Sequence, residues 1–111
     1  SVNCVDGMSY ACSKAALMQA TKNFAVSLAD KGVTVNGIAP VWIWTPMMAQ
    51  RPGDYMKQAA ASVPMGRVSY AEDYLGMLFF LSSAASAYVT GQTFLVDGGW
   101  SVSRVFRYSD D

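Results

Sequence analysis

An α/β fold, the later half of a doubly wound parallel sheet, is predicted for this 111-residue chain by three features. Segments with helical and strand-like patterns alternate as helix, strand, long connection, helix, strand, the order in which such a sheet is wound. Both strand-like segments carry apolar residues on both faces, as strands covered on two sides do. Gly and Pro stand where one hydrophobic period gives way to the next.

Residues 1–7 are short, polar and turn-like. A helix is predicted from Ser9, a suitable N-cap, because Ala11, Ala15, Ala16, Leu17, Ala20, Phe24 and Leu28 recur at helical spacing. Gly32, following Lys31, supplies its stop. The Ala-rich face admits close approach of another helix. Val33 to Ala39 reads as a buried strand ended by Pro40, with Val33, Val35 and Ile38 spread over its two faces. Residues 41–64 form a connection rich in Trp, Met and Pro. A loop of this length inside a compact domain is usually a functional lid, and a short helix is expected near Asp54 to Ala61. A second long helix is predicted from Tyr70 to Ser83, its first turn favoured by Glu72 and Asp73 at the positive end of the helix dipole. Thr93 to Val96 is the second strand, followed by a close-packed turn at Asp97-Gly98-Gly99. The polar tail, residues 104–111, is expected to fray.

Composition narrows the function. The formal net charge is zero, so nothing electrostatic favours nucleic acid. Charged residues make up 14% of the chain, against about 25% in an ordinary soluble domain. Such a chain has more apolar surface than its size can hide, so it packs against partner chains or is part of a larger domain. The longest apolar run, Leu75 to Leu81, is far shorter than a membrane span. Cys4 and Cys12 lack the spacing of a metal or redox site and read as reduced thiols of a cytoplasmic protein. The chain has no His. Its own residues therefore supply no Ser-His-Asp or Cys-His nucleophile, and no metal site is expected. Proton chemistry falls to Tyr, Lys, Asp, Glu or Cys.

Tyr10 and Lys14 are four residues apart, which on a helix brings their Cβ atoms to about 5–6 Å on one face. A free tyrosine titrates near pH 10, and a neighbouring ammonium favours the phenolate and lowers that value. Such a phenol exchanges a proton with a carbonyl or alcohol oxygen nearer neutral pH. The spacing alone also suits a solvated Tyr and Lys on a helix surface.

The surroundings of this pair resemble the short-chain dehydrogenase/reductase family. Tyr10-Ala11-Cys12-Ser13-Lys14-Ala15-Ala16-Leu17 resembles its active-site helix, and Gly32-Val33-Thr34-Val35-Asn36-Gly37-Ile38-Ala39-Pro40 its next strand. Ile43-Trp44-Thr45-Pro46-Met47 resembles the segment after that strand, and Pro64-Met65-Gly66-Arg67 the end of the substrate lid. Tyr88 to Gly99 resembles the final strand and its turn. These segments occur in the family's order from Tyr10 to Gly99. The resemblance implies the C-terminal half of a Rossmann-type sheet and an enzyme using NAD or NADP. Hydride would pass between nicotinamide and a carbonyl or secondary alcohol carbon. By the same resemblance Tyr10 is the general acid/base, and Lys14 lowers its pKa and holds the nicotinamide ribose. Pro40 opens the loop beneath the nicotinamide, and the Ile43 backbone and Thr45 hydroxyl bind its carboxamide. Thr45 also reads as a plain turn former before Pro46. Trp42, Trp44, Met47 and Met48 line the substrate pocket or pack the lid on the core.

The family implies a small polar or acyl-linked carbonyl substrate, as in ketoacyl reductases and sugar-alcohol or gluconate dehydrogenases. It also implies a homodimer or homotetramer through the C-terminal segments and the Ala-rich helix. Two departures stand out. Val41 occupies a position where the family usually has Gly, so it is expected to narrow the nicotinamide site or shift the lid. The front half of the family pattern, with its Gly-rich pyrophosphate turn, does not occur in these residues. The chain is therefore expected to be a fragment that leaves a strand edge unpaired. The position of the family's substrate-orienting serine falls before residue 1. Ser1, nine residues before Tyr10, is that serine only if the intervening loop is shortened; otherwise it ends the preceding strand. Two rival readings are a truncated, inactive oligomerisation module of the same family and an unrelated α/β domain with coincidental motifs.

Overall fold

A computed structural model describes the backbone of residues 5–103 and the side chains of residues 12–103. The elements run α1 (Val5–Leu28), β1 (Gly37–Pro40), α2 (Pro46–Ala49), α3 (Tyr55–Ala61), α4 (Leu75–Leu81), β2 (Thr93–Val96) and α5 (Trp100–Ser103). β1 and β2 are neighbours in one two-stranded parallel sheet. The predicted order of helix, strand, connection, helix and strand is present. Ser1 and the 104–111 tail lie outside the described residues.

Contacts divide the chain into two compact units, Ser1–Gly37 with Leu81–Phe94, and Ile38–Phe80 with Leu95–Asp111. In the first, α1 begins at Val5 rather than Ser9. No Pro interrupts residues 5–9, so the helix extends back past the expected cap. At its other end a 3₁₀ turn, Ala29–Lys31, closes on Gly32, which takes the left-handed conformation at φ 73°. Gly32 N–H donates to Ala29 C=O and Val33 N–H to Leu28 C=O, which satisfies the last helical carbonyls. Ala15 and Ala16 of the Ala-rich pattern are exposed, and the close approach to α1 is made instead at buried Ala25, by a loop glycine. A side chain added at Gly91 would lie 3.4 Å from the Ala25 methyl.

The first strand is shorter than predicted, four residues in place of seven. Asn36 explains the difference. Its side-chain amide donates to Val89 C=O at 3.0 Å and accepts from Gln92 N–H at 3.1 Å. Beside it, Val35 N–H donates to the Thr90 hydroxyl at 3.0 Å and Gly91 N–H to Val35 C=O at 2.8 Å. Side chains thus take the place of ladder bonds before Gly37, where regular pairing begins. Val33 is 43% exposed, not buried.

In the second unit the core is Ala59, Val63, Val68 and Tyr74. α3 lies where a short helix was expected. The predicted Tyr70 to Ser83 helix starts as a 3₁₀ turn, Ala71–Tyr74, and continues as α4. The Asp97-Gly98-Gly99 turn packs on Val63-Pro64-Met65. Gly98 has φ 60°, and a Cβ there would stand 2.7 Å from Val63 Cγ1. Met65 N–H donates to Gly98 C=O at 3.1 Å. Sequence reasoning missed α5. Asp97 starts it by accepting from the N–H groups of Gly99 and Ser101, each at 3.1 Å. Partial burial pushes the Asp97 carboxyl up, but the Ser101 hydroxyl and these N–H groups outweigh it and hold it below the ordinary carboxylate value. α4 leaves Leu78 and Phe79 exposed, and β2 leaves Leu95 exposed.

Candidate active site

Tyr10 and Lys14 both belong to α1, one helical turn apart. The Tyr10 side chain lies outside the described residues, and Lys14 is half-buried. Cys12, between them, is an exposed free thiol.

The residues singled out by sequence between Pro40 and Met47 lie in the second unit, along the segment that leaves β1. Pro40 is the last residue of β1 and so continues the strand instead of breaking it. After it the chain is fastened to Ser69. Ser69 N–H donates to Trp42 C=O at 2.8 Å, and Trp44 N–H donates to Ser69 C=O at 2.7 Å. The Ser69 hydroxyl reaches Val41 C=O at 3.0 Å and Trp42 C=O at 3.2 Å, and it sits 2.6 Å from the Tyr74 hydroxyl. Ile43 and Ser69 thereby form a parallel bridge. Because the bridge uses the flanking groups of Trp42 and Trp44, Ile43 turns its own N–H and C=O to the opposite side.

Val41 itself does not take a left-handed conformation. The left-handed residue is Trp42, at φ 38°, the one non-glycine of that kind among the described residues. Its indole edge meets the Tyr55 ring at 6.0 Å and 85°, and Tyr55 in turn carries the Arg51 guanidinium 5.1 Å from its centroid. The Trp42 indole N–H is buried without a hydrogen-bond partner among the described residues. Thr45 is the N-cap of α2, its hydroxyl accepting from Met48 N–H at 3.1 Å ahead of Pro46 at the first helical position. That bond uses a lone pair and leaves the hydroxyl proton free to donate. Trp44 tilts against Tyr70, and Met47 is 75% exposed.

An ion pair that sequence reasoning did not single out organises the far side of this segment. Both Arg67 guanidinium nitrogens grip the Asp73 carboxylate at 2.8 Å, and Asp73 also accepts from Tyr70 N–H at 2.7 Å. The Arg67 hydrogen bonds, followed by that backbone N–H, hold the Asp73 carboxyl far below its ordinary value. The legible signal was an acidic residue three places after Tyr70, the spacing of a helix-start clasp. A cavity of about 150 Å³ lies beside this pair, walled by Val41, Val63, Arg67, Ser69 and Asp97.

The chain is similar to known proteins in sequence and fold. A family described as enoyl-(acyl carrier protein) reductase matches residues 2–101. A solved short-chain type dehydrogenase/reductase from Mycobacterium marinum superposes with a TM-score of 0.74 at 36% identity, covering 83% of this chain and 36% of its own. The chain belongs to the short-chain dehydrogenase/reductase family. Its Rossmann-type sheet is the later part of the doubly wound fold of that family. Among curated members, the uncharacterized oxidoreductase YhdF of Bacillus subtilis is 42% identical over 95 residues, which are 85% of this chain and 33% of YhdF. The 3-oxoacyl-[acyl-carrier-protein] reductase FabG of Thermotoga maritima is 40% identical over 90 residues, 81% of this chain and 37% of FabG. This short-chain dehydrogenase/reductase chain thus spans about a third of the length of the curated relatives it matches. Among its described residues no helix is long and apolar enough to cross a membrane.

Proposed function

We propose that this chain carries the proton-transfer residues of an NAD- or NADP-dependent oxidoreductase acting on a carbonyl or secondary alcohol. The observation that carries the reading is the placement of Tyr10 and Lys14 one turn apart on α1, within the stretch matched by the family. The Tyr10 phenol gives its proton to the carbonyl oxygen in reduction and takes one from the alcohol in oxidation. The Lys14 ammonium favours the phenolate and eases that exchange. Ile43 fits a nicotinamide, because its outward N–H and C=O match the acceptor and donors of a carboxamide, and the Thr45 hydroxyl adds a donor. Pro40 sets the start of this segment. Bound there, the cofactor would supply or accept hydride at its nicotinamide C4. Residues 41–64 act as the lid, and Trp42, Trp44 and Met47 face the substrate. Ser1 is the family serine if the loop before Tyr10 is short. A homo-oligomer and a cytoplasmic location are part of this reading.

In the intact protein, Tyr10→Phe should lower the turnover of a ketone by about 10²–10⁴-fold while cofactor binding persists. Oxidation of NADPH or NADH, followed by absorbance, measures it. Full activity in Tyr10→Phe would end this reading. A second reading, an inactive oligomerisation module, is favoured by the exposed Leu17, Phe24 and Val26 on α1. Titration of the purified chain with NADPH and NADH, followed by fluorescence, separates the two, since a module binds neither.

A further inference from the structure

We propose that the Ser69 hydroxyl, backed by Tyr74, is a positioning group that aims the Ile43 N–H and C=O at the nicotinamide. The inference rests on the oxidoreductase reading above and deepens it. It follows from which peptide planes Ser69 holds. A peptide unit is flat, and those of the described residues are trans, so the C=O of one residue points opposite to the N–H of the next. Trp42 C=O shares a plane with Ile43 N–H, and Ile43 C=O shares one with Trp44 N–H. Ser69 N–H donates to Trp42 C=O at 2.8 Å, and Ser69 C=O accepts from Trp44 N–H at 2.7 Å. Both planes are thus held from behind, and both Ile43 groups face away from Ser69. The backbone of another residue at this position would do as much. The hydroxyl adds a third plane, because it donates to Val41 C=O at 3.0 Å, in the peptide ahead of Trp42.

That third hold matters because of what lies between the planes. Trp42 has φ 38°, a left-handed conformation that is strained for a bulky residue. With the Val41 side released, Trp42 is free to turn toward an ordinary conformation. The bond that holds the plane of Ile43 N–H then resists that turn alone. Proton counting gives the direction of the supporting bonds. Ser69 has one hydroxyl proton, and the Val41 and Trp42 carbonyls it faces can only accept, so the proton goes to them. The 2.6 Å contact with Tyr74 is therefore a donation from the Tyr74 phenol. Tyr74 is 8% exposed, so the core keeps its hydroxyl in place. A bond received by the Ser69 oxygen polarises its O–H and strengthens the bond it gives. The run Tyr74, Ser69, Val41 thus ties the strained turn to the core of the second unit.

The test measures binding, by calorimetry on the intact protein, of whichever of NAD and NADP it takes. The matching ADP-ribose, phosphorylated in the case of NADP, keeps every part of the cofactor except the nicotinamide and serves as the control. Ser69→Ala should weaken the dinucleotide about tenfold, the worth of one or two well-made hydrogen bonds, and leave ADP-ribose unchanged. Tyr74→Phe should weaken it by less, in the same pattern, and the double variant should lose no more than Ser69→Ala. Ser69→Thr should restore binding, since it returns the hydroxyl and the cavity that Ser69 helps to wall has room for a methyl group. In the free protein, Ser69→Ala should speed amide exchange at Trp44 N–H. A thermal melt checks that each variant is folded. Equal weakening of dinucleotide and ADP-ribose would make Ser69 a general structural residue and overturn the proposal. Unchanged dinucleotide affinity in Ser69→Ala would overturn it too, while the oxidoreductase reading stood. No binding of NAD or NADP by the intact protein would end that reading and the proposal with it.

Discussion

Replacing Gly98 by Ala attacks the second unit at its tightest backbone approach. Two costs add there. Gly98 has φ 60°, and an L-residue in that left-handed region costs about 1–2 kcal/mol. The new Cβ would also stand 2.7 Å from Val63 Cγ1. Val63 is only 4% exposed, so it has little room to give, and overpacking of this kind costs about 1–3 kcal/mol. Gly98→Ala should therefore destabilise by about 3 kcal/mol, a large share of the roughly 5–15 kcal/mol that holds a domain together. Gly32 provides the control, because its φ of 73° is similar and nothing lies within 4 Å of an added Cβ. Gly32→Ala should show the backbone cost alone, about 1 kcal/mol. Urea unfolding of the intact protein, read as a midpoint shift at constant slope, measures both. In Gly98→Ala with Val63→Ala the clash disappears, so the pair should cost less than the two single changes together. Equal losses for Gly98→Ala and Gly32→Ala, or strict additivity in the double variant, would refute the steric argument.

Asn36→Ala should cost about 1–3 kcal/mol in urea unfolding, since it leaves Val89 C=O and Gln92 N–H without their partner; Asn36→Asp should not rescue it, because a carboxylate cannot donate to Val89 C=O. Thr45→Ala should cost about 1 kcal/mol by removing the cap of α2, whereas Thr45→Ser should keep the cap. For Asp73 the folded-state pKa lies below the unfolded one, so its contribution is complete above the ordinary carboxylate value near 4 and fades as pH falls below it. Asp73→Asn should therefore flatten the acid side of a plot of melting temperature against pH and leave the neutral side nearly parallel to wild type; an unchanged acid limb would show that the Arg67 clasp has no such linkage.

The large elements were legible because period and punctuation agree with the backbone. Gly32 stops α1 through its left-handed conformation, and Thr93 to Val96 forms the strand its composition suggested. Two of the misreadings share a cause, a side chain standing in for a backbone group. Asn36 replaces ladder bonds, so an apolar run from Val33 does not become strand until Gly37. Asp97 caps α5, a four-residue helix too short to show a period. Of the candidate site, Tyr10 and Lys14 were visible from spacing, and the Ile43 to Met47 segment from resemblance. Ser69 and the Arg67–Asp73 clasp were not, because their partners lie on segments that meet only in the fold. Val41 drew attention as a replaced glycine, whereas the left-handed residue of this turn is Trp42.

The fastening of residues 41–44 to Ser69 also bears on how such a protein can diversify. Ser69, on the returning chain, holds the departing chain through its N–H, its C=O and its hydroxyl. The intervening residues therefore form a pouch drawn together at Ser69, with a second fastening where Met65 N–H meets Gly98 C=O. Lengthening a pouch already drawn shut is cheap, about 0.6 kcal/mol for each doubling of a flexible loop. Insertions between residues 50 and 54, the loop from α2 to α3, can then remodel what the pouch accepts, while the register of Ile43 against Ser69 stays as it is.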